Sequence, residues 1–301
     1  MSNFSSPSDG SILQMALPVS SLEHVIGNNG TGAAGEASDA YTHAYASPRS
    51  ISSRVYLISI EGNIGSGKST FLRVLKSVEH PANIIFLPEP VHVWETICDP
   101  TTGENIISKF YADQKTYAFS FQIMAYISRL AELRKTIRGA LDNPTLEGKP
   151  IIIIMERCLL TDRHVFAKML YEQGAIEPIN YQIYLKWFDE FASELPISTV
   201  FYVRAKPEIS HERIMRRARD GEGGIPLEYL SSCHDNHDEW LFKKFDGKLY
   251  VLHGDLERRE TADDYKPWVD LLLGCVYQTM EHNLTKMEED GREREHETAH
   301  S

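Results

Sequence analysis

Eight consecutive residues carry the plainest chemistry in the chain. Gly62-Asn63-Ile64-Gly65-Ser66-Gly67-Lys68-Ser69 fits G-x-x-x-x-G-K-[ST] at every fixed position. Glycines at this spacing let backbone N–H groups turn inward onto phosphate oxygens. Lys68 adds a point charge near the β- and γ-phosphates, the Ser69 hydroxyl is suited to Mg²⁺, and Thr70 extends the run. An apolar β-branched stretch, Val55–Ile60, leads into the loop, and a helical pattern, Phe71, Leu72 and Leu75, leads out of it. The helix therefore starts near Lys68 and aims its positive dipole end at the same anion.

Four other stretches carry groups able to act on a bound phosphate. Glu89 stands between two prolines in Leu87-Pro88-Glu89-Pro90-Val91, so its backbone is restrained. A carboxylate near a phosphate loop can orient a hydroxyl and accept its proton. Glu156-Arg157 ends a run of four isoleucines and a methionine. Glu156 stands where many phosphate-loop proteins place a Mg²⁺-holding acid, and Arg157 could contact phosphate oxygens or hold Glu89, although an acid and base side by side at a sheet edge can also be a structural ion pair. Phe121, Gln122 and Arg129 share a long helical pattern, and Gln122 and Arg129, seven apart, lie on nearly one face. A Gln amide pairs with a planar base edge and Phe121 can stack on it, although on an amphipathic helix such residues ordinarily face solvent. Arg213, Arg216, Arg217 and Arg219 run into Asp-Gly-Glu-Gly-Gly. Arg213 and Arg217 share a face at i,i+4, and the glycines supply a hinge for an arginine lid over a transferring phosphoryl group.

The elements that must position these groups alternate. Strand-like runs are Val55–Ile60, Ile84–Leu87, Ile151–Met155, Thr199–Val203 and Leu249–Leu252, short and apolar without alternation, as suits strands buried on both faces. Helical patterns lie between and after them: Ser69–Val78, Lys115–Leu141, Asp162–Glu172, Asn180–Ser193, Pro207–Arg219, Leu227–Lys243 and Asp264–Lys286. The expected fold is α/β: a central five-stranded parallel sheet flanked by helices, with an arginine-rich lid. Ligands in such sheets sit beyond the carboxyl ends of the strands, where Glu89, Glu156 and Arg157 fall.

Residues 1–53, rich in Ser, Gly, Ala and Asn, read as a disordered tail, 54–286 as the folded domain, and 287–301 as a charged, solvated tail. The 301 residues are 42% apolar and 25% charged, an ordinary globular composition, and no apolar run reaches membrane-spanning length. A net charge of −12 speaks against non-specific nucleic-acid binding. The first 53 residues carry Asp9, Glu23, Glu36 and Asp39 but only Arg49 among Lys and Arg, which disfavours a mitochondrial transit peptide and makes a cytoplasmic location the expectation. Cys98, Cys158, Cys233 and Cys275 are widely spaced and read as free thiols. His234 and His237 lack the partner cluster of a metal site and read as a solvated or hydrogen-bonded helix face.

Taken in order, GNIGSGKST, EPVHVW, FSFQ followed by SR, ERCLLTDR, the arginine-rich segment, GIPLEYL and HDNHDEWL resemble the deoxyribonucleoside kinase family, most nearly its deoxycytidine/deoxyguanosine kinase branch, from about Val55 to Phe242. The resemblance implies transfer of the γ-phosphoryl group of ATP, or another nucleoside triphosphate, with Mg²⁺, to the 5′-hydroxyl of a deoxynucleoside in nucleotide salvage. It implies a general base at Glu89, and Glu156 and Arg157 at the Mg²⁺ and the 5′-oxygen. It also implies Trp94 beside sugar and base, Tyr111 and Glu222 on the 3′-hydroxyl, Gln122 on the base edge with Phe121 stacking, and Arg213, Arg217 and Arg219 on the donor phosphates. Arg129 and Asp162 match the charged pair that this branch places near the base, so deoxycytidine and purine deoxynucleosides are expected ahead of thymidine. The family also implies a homodimer.

Departures from the family pattern are Cys158 in place of the usual Ser, the apolar Leu159 and Leu160, His164 in place of a common Tyr, and His253-Gly254-Asp255 on the donor-base side. Two rival readings remain. A thymidylate-kinase-like monophosphate kinase would use a pair such as Asp162-Arg163, and a catalytically inactive kinase-like subunit would have lost Lys68, Glu89 or Arg213, all of which are present. A signalling GTPase would need an Asn-Lys-x-Asp motif, which the chain does not contain.

Overall fold

A computed structural model describes residues 12–13, 52–192, 195–217 and 223–299, with side chains placed from 52 to 283 within those ranges. Of the site expectations, Arg219 and Glu222 lie outside the described residues, as does most of 1–53.

Six strands form one sheet. They are β1 (Ile12–Leu13), β2 (Val55–Glu61), β3 (Ile84–Leu87), β4 (Ile151–Glu156), β5 (Thr199–Arg204) and β6 (Lys248–His253), in the order β1-β6-β5-β2-β4-β3. The last five are the expected parallel strands. The sheet is larger than expected by β1, two residues from the stretch read as a tail, which pairs antiparallel with β6. Strand β2 is central, with β4 and β3 on one side and β5 and β6 on the other, and the chain passes from β2 out to β3, back to β4 and then across β2 to β5. This topological switch point is where an open α/β sheet leaves a crevice.

Side chains alternate across β4. Ile151, Ile153 and Met155 join one core with Leu57, Val200 and Tyr202, whereas Ile152 and Ile154 join the opposite core with Ile58, Ile60, Phe201 and Val203. The first core is covered by α4 (Gln114–Leu141), α7 (Pro178–Ala192) and α9 (Leu227–Lys243). The second is covered by α1 (Lys68–Ser77) and α10 (Ala262–Ala299), with Phe71, Leu75, Trp268 and Leu272 buried in it. Strands buried on both faces explain the apolar runs without alternation.

Two short helices escaped the sequence pattern: α2 (Val91–Glu95) and α3 (Ile106–Ala112). The Asn105 side chain caps α3 by accepting from Ser108 N at 2.9 Å, and Asp113 caps α4 by accepting from Thr116 N at 3.1 Å. The predicted Asp162–Glu172 helix is a continuous run of α5 (Leu159–Thr161), a π-helical turn (Asp162–Ala167) and α6 (Lys168–Glu172). Such π turns often accompany functional sites. Helix α8 (Pro207–Arg217) carries the arginines, with Pro207 at its first position as expected. Helix α10 runs past its expected end at Lys286, through the charged stretch as far as Ala299.

Candidate active site

The glycine-rich loop joins β2 to α1 and is shaped by contacts that only glycine allows. Gly62 has φ 142°, and a Cβ there would stand 2.4 Å from the Val203 carbonyl oxygen. Gly65 has φ 76°, with the Ser210 carbonyl oxygen 2.5 Å from the same hypothetical atom. Lys68 folds back into the loop and donates to Asn63 O at 2.7 Å, and Asn63 Nδ2 donates to Leu230 O at 2.8 Å, tying the loop to α9. Burial and the nearby Arg157 push the Lys68 ammonium down to about 7, against the pull of Glu156, Glu89 and Glu61. Ser66 Oγ is buried in the loop without a partner.

This loop walls a cavity of about 570 Å³. Glu89, Glu156, Arg157, Arg213, Arg216 and Arg217 share the lining. Ser69 Oγ donates to Glu156 Oε1 at 2.7 Å, which puts two hard oxygen ligands side by side at the mouth of the phosphate cradle. That donor set fits Mg²⁺, which keeps most of its shell as water and phosphate oxygen and takes only one or two protein ligands. No group of three or more His, Cys, Asp or Glu side chains converges among the described residues. Arg213 is not loose on its helix. It donates to Gly254 O at 2.7 Å, Leu256 O at 3.0 Å and Ser66 O at 3.4 Å, bridging the loop after β6 to the phosphate loop. Arg216 pairs with Glu257, and Arg73 with Glu260.

A second cavity adjoins the first. It is lined by Trp94, Phe110, Tyr111, Phe121, Gln122, Arg129, Asp162, Phe166 and Tyr229. Ile64, Glu89 and Arg157 line both cavities. Phe121 stacks on Phe110 with centroids 4.6 Å apart and meets Trp94 edge-on at 5.5 Å. Trp94 Nε1 donates to Ser128 Oγ at 2.8 Å, which fixes the indole plane. Gln122 is 2% exposed, yet its Oε1 has no partner. A buried amide acceptor left open is rare enough to mark a ligand position.

Where the cavities meet, Glu89 is gripped by two guanidinium groups. Arg157 NH1 donates to Oε2 at 2.7 Å and Arg129 NH2 to Oε1 at 3.0 Å. Burial alone would raise this carboxyl, but the two arginines and Lys68 outweigh it and hold it down to about 2. Arg129 is held in turn by Asp162, Nε to Oδ2 at 3.0 Å, and by Glu156 O at 3.2 Å. The charged pair expected near the base therefore also reaches the carboxylate expected as base. Arg157 has φ 59°, a left-handed backbone that costs a non-glycine residue about 1–3 kcal/mol. Its Nε is buried without a partner.

The remaining motif residues take other places. Arg163 pairs with Asp189 at 2.6 Å and lies over Phe188, lining neither cavity, so the Asp162-Arg163 pair of a monophosphate kinase is not assembled here. His237 is buried and its Nδ1 lies 2.7 Å from Cys233 O, a bond within α9. His164 stacks on Trp240 at 5.7 Å. Sequence reasoning missed Phe110, Phe166 and Tyr229 in the second cavity, and Arg258, stacked 4.2 Å from the Trp268 ring, in the first. It also missed Glu61, buried at the end of β2, although an acid ending an apolar strand was a visible signal.

The profile of a family described as "Deoxynucleoside kinase" matches residues 58–270. Deoxycytidine kinase of Bos taurus is 34% identical over 243 residues, covering 74% of this chain and 90% of the relative. Deoxycytidine kinase of Rattus norvegicus is 35% identical over 206 residues, covering 64% and 77%. A mitochondrial deoxyguanosine kinase of Xenopus laevis is 34% identical over 204 residues, covering 64% and 75%.

Proposed function

The chain belongs to the deoxynucleoside kinase family, and we propose that the two joined cavities are the donor and acceptor halves of its transfer site. The observation that carries this is Glu89, which lines both cavities and is held by Arg157 and Arg129 at their junction.

Phosphates of ATP rest on the amides of 62–69, with Lys68, Ser66 and the arginines of α8 around them. Ser69 and Glu156 would hold a Mg²⁺ ion, which would supply charge neutralisation to the transferring phosphoryl group. The nucleoside base enters the slot between Trp94, Phe110 and Phe121, and the open Gln122 Oε1 accepts from an exocyclic or ring N–H on its edge. Tyr111 and the sugar hydroxyl share the rim of that slot. The 5′-hydroxyl then faces Glu89, which stays ionised throughout the neutral range and takes the proton as the oxygen attacks. The unpartnered Arg157 Nε is placed to donate to the 5′-oxygen or to the phosphoryl group in flight. Catalysis is positioning and charge stabilisation, with little covalent work for the protein.

The Arg129–Asp162 pair puts fixed charge beside the base, which favours deoxycytidine and purine deoxynucleosides over thymidine. An assay with Mg²⁺-ATP over the four deoxynucleosides, their ribonucleosides and their monophosphates tests both levels. Thymidine as best substrate would remove the base preference, and turnover of monophosphates alone would remove the acceptor assignment. A homodimer is part of the same reading. Ile179, Ile183 and Trp187 form an i, i+4, i+8 stripe on α7 and are 65%, 43% and 49% exposed, and Ile127 on the adjoining α4 is 46% exposed. Exposed apolar side chains grouped this way mark an interface. Light scattering should give a dimer, and Ile183→Asp a monomer.

A further inference from the structure

We propose that Glu61 is a positioning residue of the transfer site: its buried carboxyl group fixes the turn after β4 and so holds Arg157 against Glu89. The inference rests on the assignment of Glu89 and Arg157 above and adds a residue that touches neither substrate cavity.

Glu61 is the last residue of β2 and is fully buried, one position before the phosphate loop begins. Three donors converge on it. Cys158 N donates to Oε1 at 2.9 Å, Thr161 Oγ1 donates to Oε2 at 2.6 Å, and Ser59 Oγ donates to Oε1. Two of the three come from the turn that carries Arg157 from β4 into α5. The need for them follows from the backbone. Arg157 N still completes the sheet, donating to Ile60 O at 3.1 Å. The left-handed φ of Arg157 then swings the chain away, and the next amide, Cys158 N, no longer faces a neighbouring strand carbonyl. Cys158 is the N-cap of α5 but supplies no side-chain cap. An amide buried there without an acceptor would destabilise the turn. Glu61 supplies the acceptor from the adjacent strand.

Arg157 also encloses Glu61 from the other side. Its N bonds the carbonyl of the preceding residue, Ile60, and its NH2 bonds the carbonyl of the following one, Gly62, at 3.3 Å. The end of β2 and the turn after β4 are thereby fastened at three successive residues, 60, 61 and 62. From this backbone NH1 reaches Glu89 at 2.7 Å. Burying a carboxyl group is costly when an apolar side chain would fill the same space. Here the carboxyl accepts three hydrogen bonds, two of them from the turn, which an apolar side chain could not do. The charge also acts behind the phosphate loop, favouring the protonated forms of Lys68 and Arg157.

The test uses the full chain with Mg²⁺-ATP and deoxycytidine. Thr161→Val keeps the shape of the side chain and removes the donor to Oε2. Thr161→Ser keeps the donor and removes a methyl group. We expect T161V to lower kcat by about tenfold or more, as a misplacement of a reacting group by a fraction of an ångström does, with KM for ATP within about twofold. T161S should stay within about threefold of the parent. Normal kcat in T161V, or an equal fall in both variants, overturns the proposal, because a packing role would penalise the lost methyl and not the lost donor. Should T161V fail to fold, Glu61→Gln and Glu61→Asp replace it. Gln keeps an acceptor for Cys158 N and holds kcat within about threefold, while Asp withdraws it by one methylene and loses about tenfold. Equal kcat in the two refutes the role. Glu89→Gln in the same assay separates this inference from the reading beneath it. If E89Q is impaired and T161V is not, only the role of Glu61 falls. If E89Q turns over normally, the Glu89 assignment falls first.

Discussion

Replacing Glu89 by Gln tests the centre of the site while changing its shape very little. The carboxylate has one oxygen on each of two guanidinium groups, Arg157 at 2.7 Å and Arg129 at 3.0 Å. An amide keeps one of those acceptors and turns an NH2 group toward the other arginine, so one charge-assisted bond is lost and the base is removed. Arg129 retains Asp162 at 3.0 Å, so its side chain should keep its place. The aromatic slot and Gln122 are untouched. General-base catalysis is worth about 10²–10⁴ in rate, or about 3–5 kcal/mol of barrier at 1.4 kcal/mol per tenfold. The expected result is a fall of that size in kcat for deoxycytidine, with KM for the nucleoside and for ATP within about threefold. A coupled assay measures both constants, and circular dichroism with thermal melting confirms the fold. Because the Glu89 carboxyl is held down to about 2, the parent enzyme should show no acid limb from this group between pH 5 and 8. A kcat within about threefold of the parent would show that the attacking hydroxyl needs no carboxylate here, and the two-cavity reading would lose its catalytic centre.

Gln122→Leu should lower kcat/KM for the nucleoside about 10- to 100-fold by removing the hydrogen-bonding amide. Thermal stability should hold or rise, since the unpartnered Oε1 leaves the apolar slot with it; a destabilised variant with intact kcat/KM would make Gln122 a core residue. Glu156→Gln should raise the Mg²⁺ concentration for half-maximal rate by about tenfold or more, read by Mg²⁺ titration at saturating nucleoside; an unchanged midpoint would move the ion elsewhere. Acid stability should fall in two stages. Burial pushes His237 down to about 3 and His164 to about 4, so below the ordinary histidine value of 6.5 the unfolded chain takes up protons that the folded chain refuses, and stability drops as pH falls from about 6.5 toward 4. Glu89 works in the lower window: its depressed carboxyl contributes stability above about 4.5 that is lost as pH falls toward 2. Melting curves from pH 7 to 4 should show the first slope, and His237→Asn should flatten it.

The sequence made the fold and the phosphate loop legible for reasons that are local. Strands buried on both faces leave apolar runs, and the five expected strands match β2 to β6 to within a residue or two at each end. The loop glycines are dictated by contacts such as Gly62 against Val203 O. Strand β1 was not legible, because two residues offer no period to read. The end of α10 was missed because solvation of charged side chains and helix formation are compatible, so charge alone did not end the helix. The second cavity was half legible. Gln122 and Arg129 were placed on one face by spacing, but a solvent-facing helix would show the same spacing. What separates the two cases is which helix covers them, a tertiary fact. Phe110 and Tyr229 come from other elements and meet Phe121 and Tyr111 only in the fold.

The grip on Glu89 shows the same limit at its sharpest. Glu89, Arg129, Arg157 and Asp162 were each identified from sequence, yet their pairing was not, because it joins four segments spread over 74 positions of the chain. The pairing changes what Arg129 does. With Nε on Asp162, NH1 on Glu156 O and NH2 on Glu89, its donors are engaged within the protein. In the proposed site a nucleoside would therefore meet Arg129 as fixed charge, while Gln122 has the open hydrogen-bonding atom. Under the proposed function, base preference and base catalysis share one guanidinium group, so a substitution at Arg129 should change both at once. Arg129→Met should relax discrimination against thymidine and slow transfer to every nucleoside, since it releases one of the two hands on Glu89. A variant that shifts base preference with kcat for deoxycytidine intact would show that Arg157 alone holds the carboxylate.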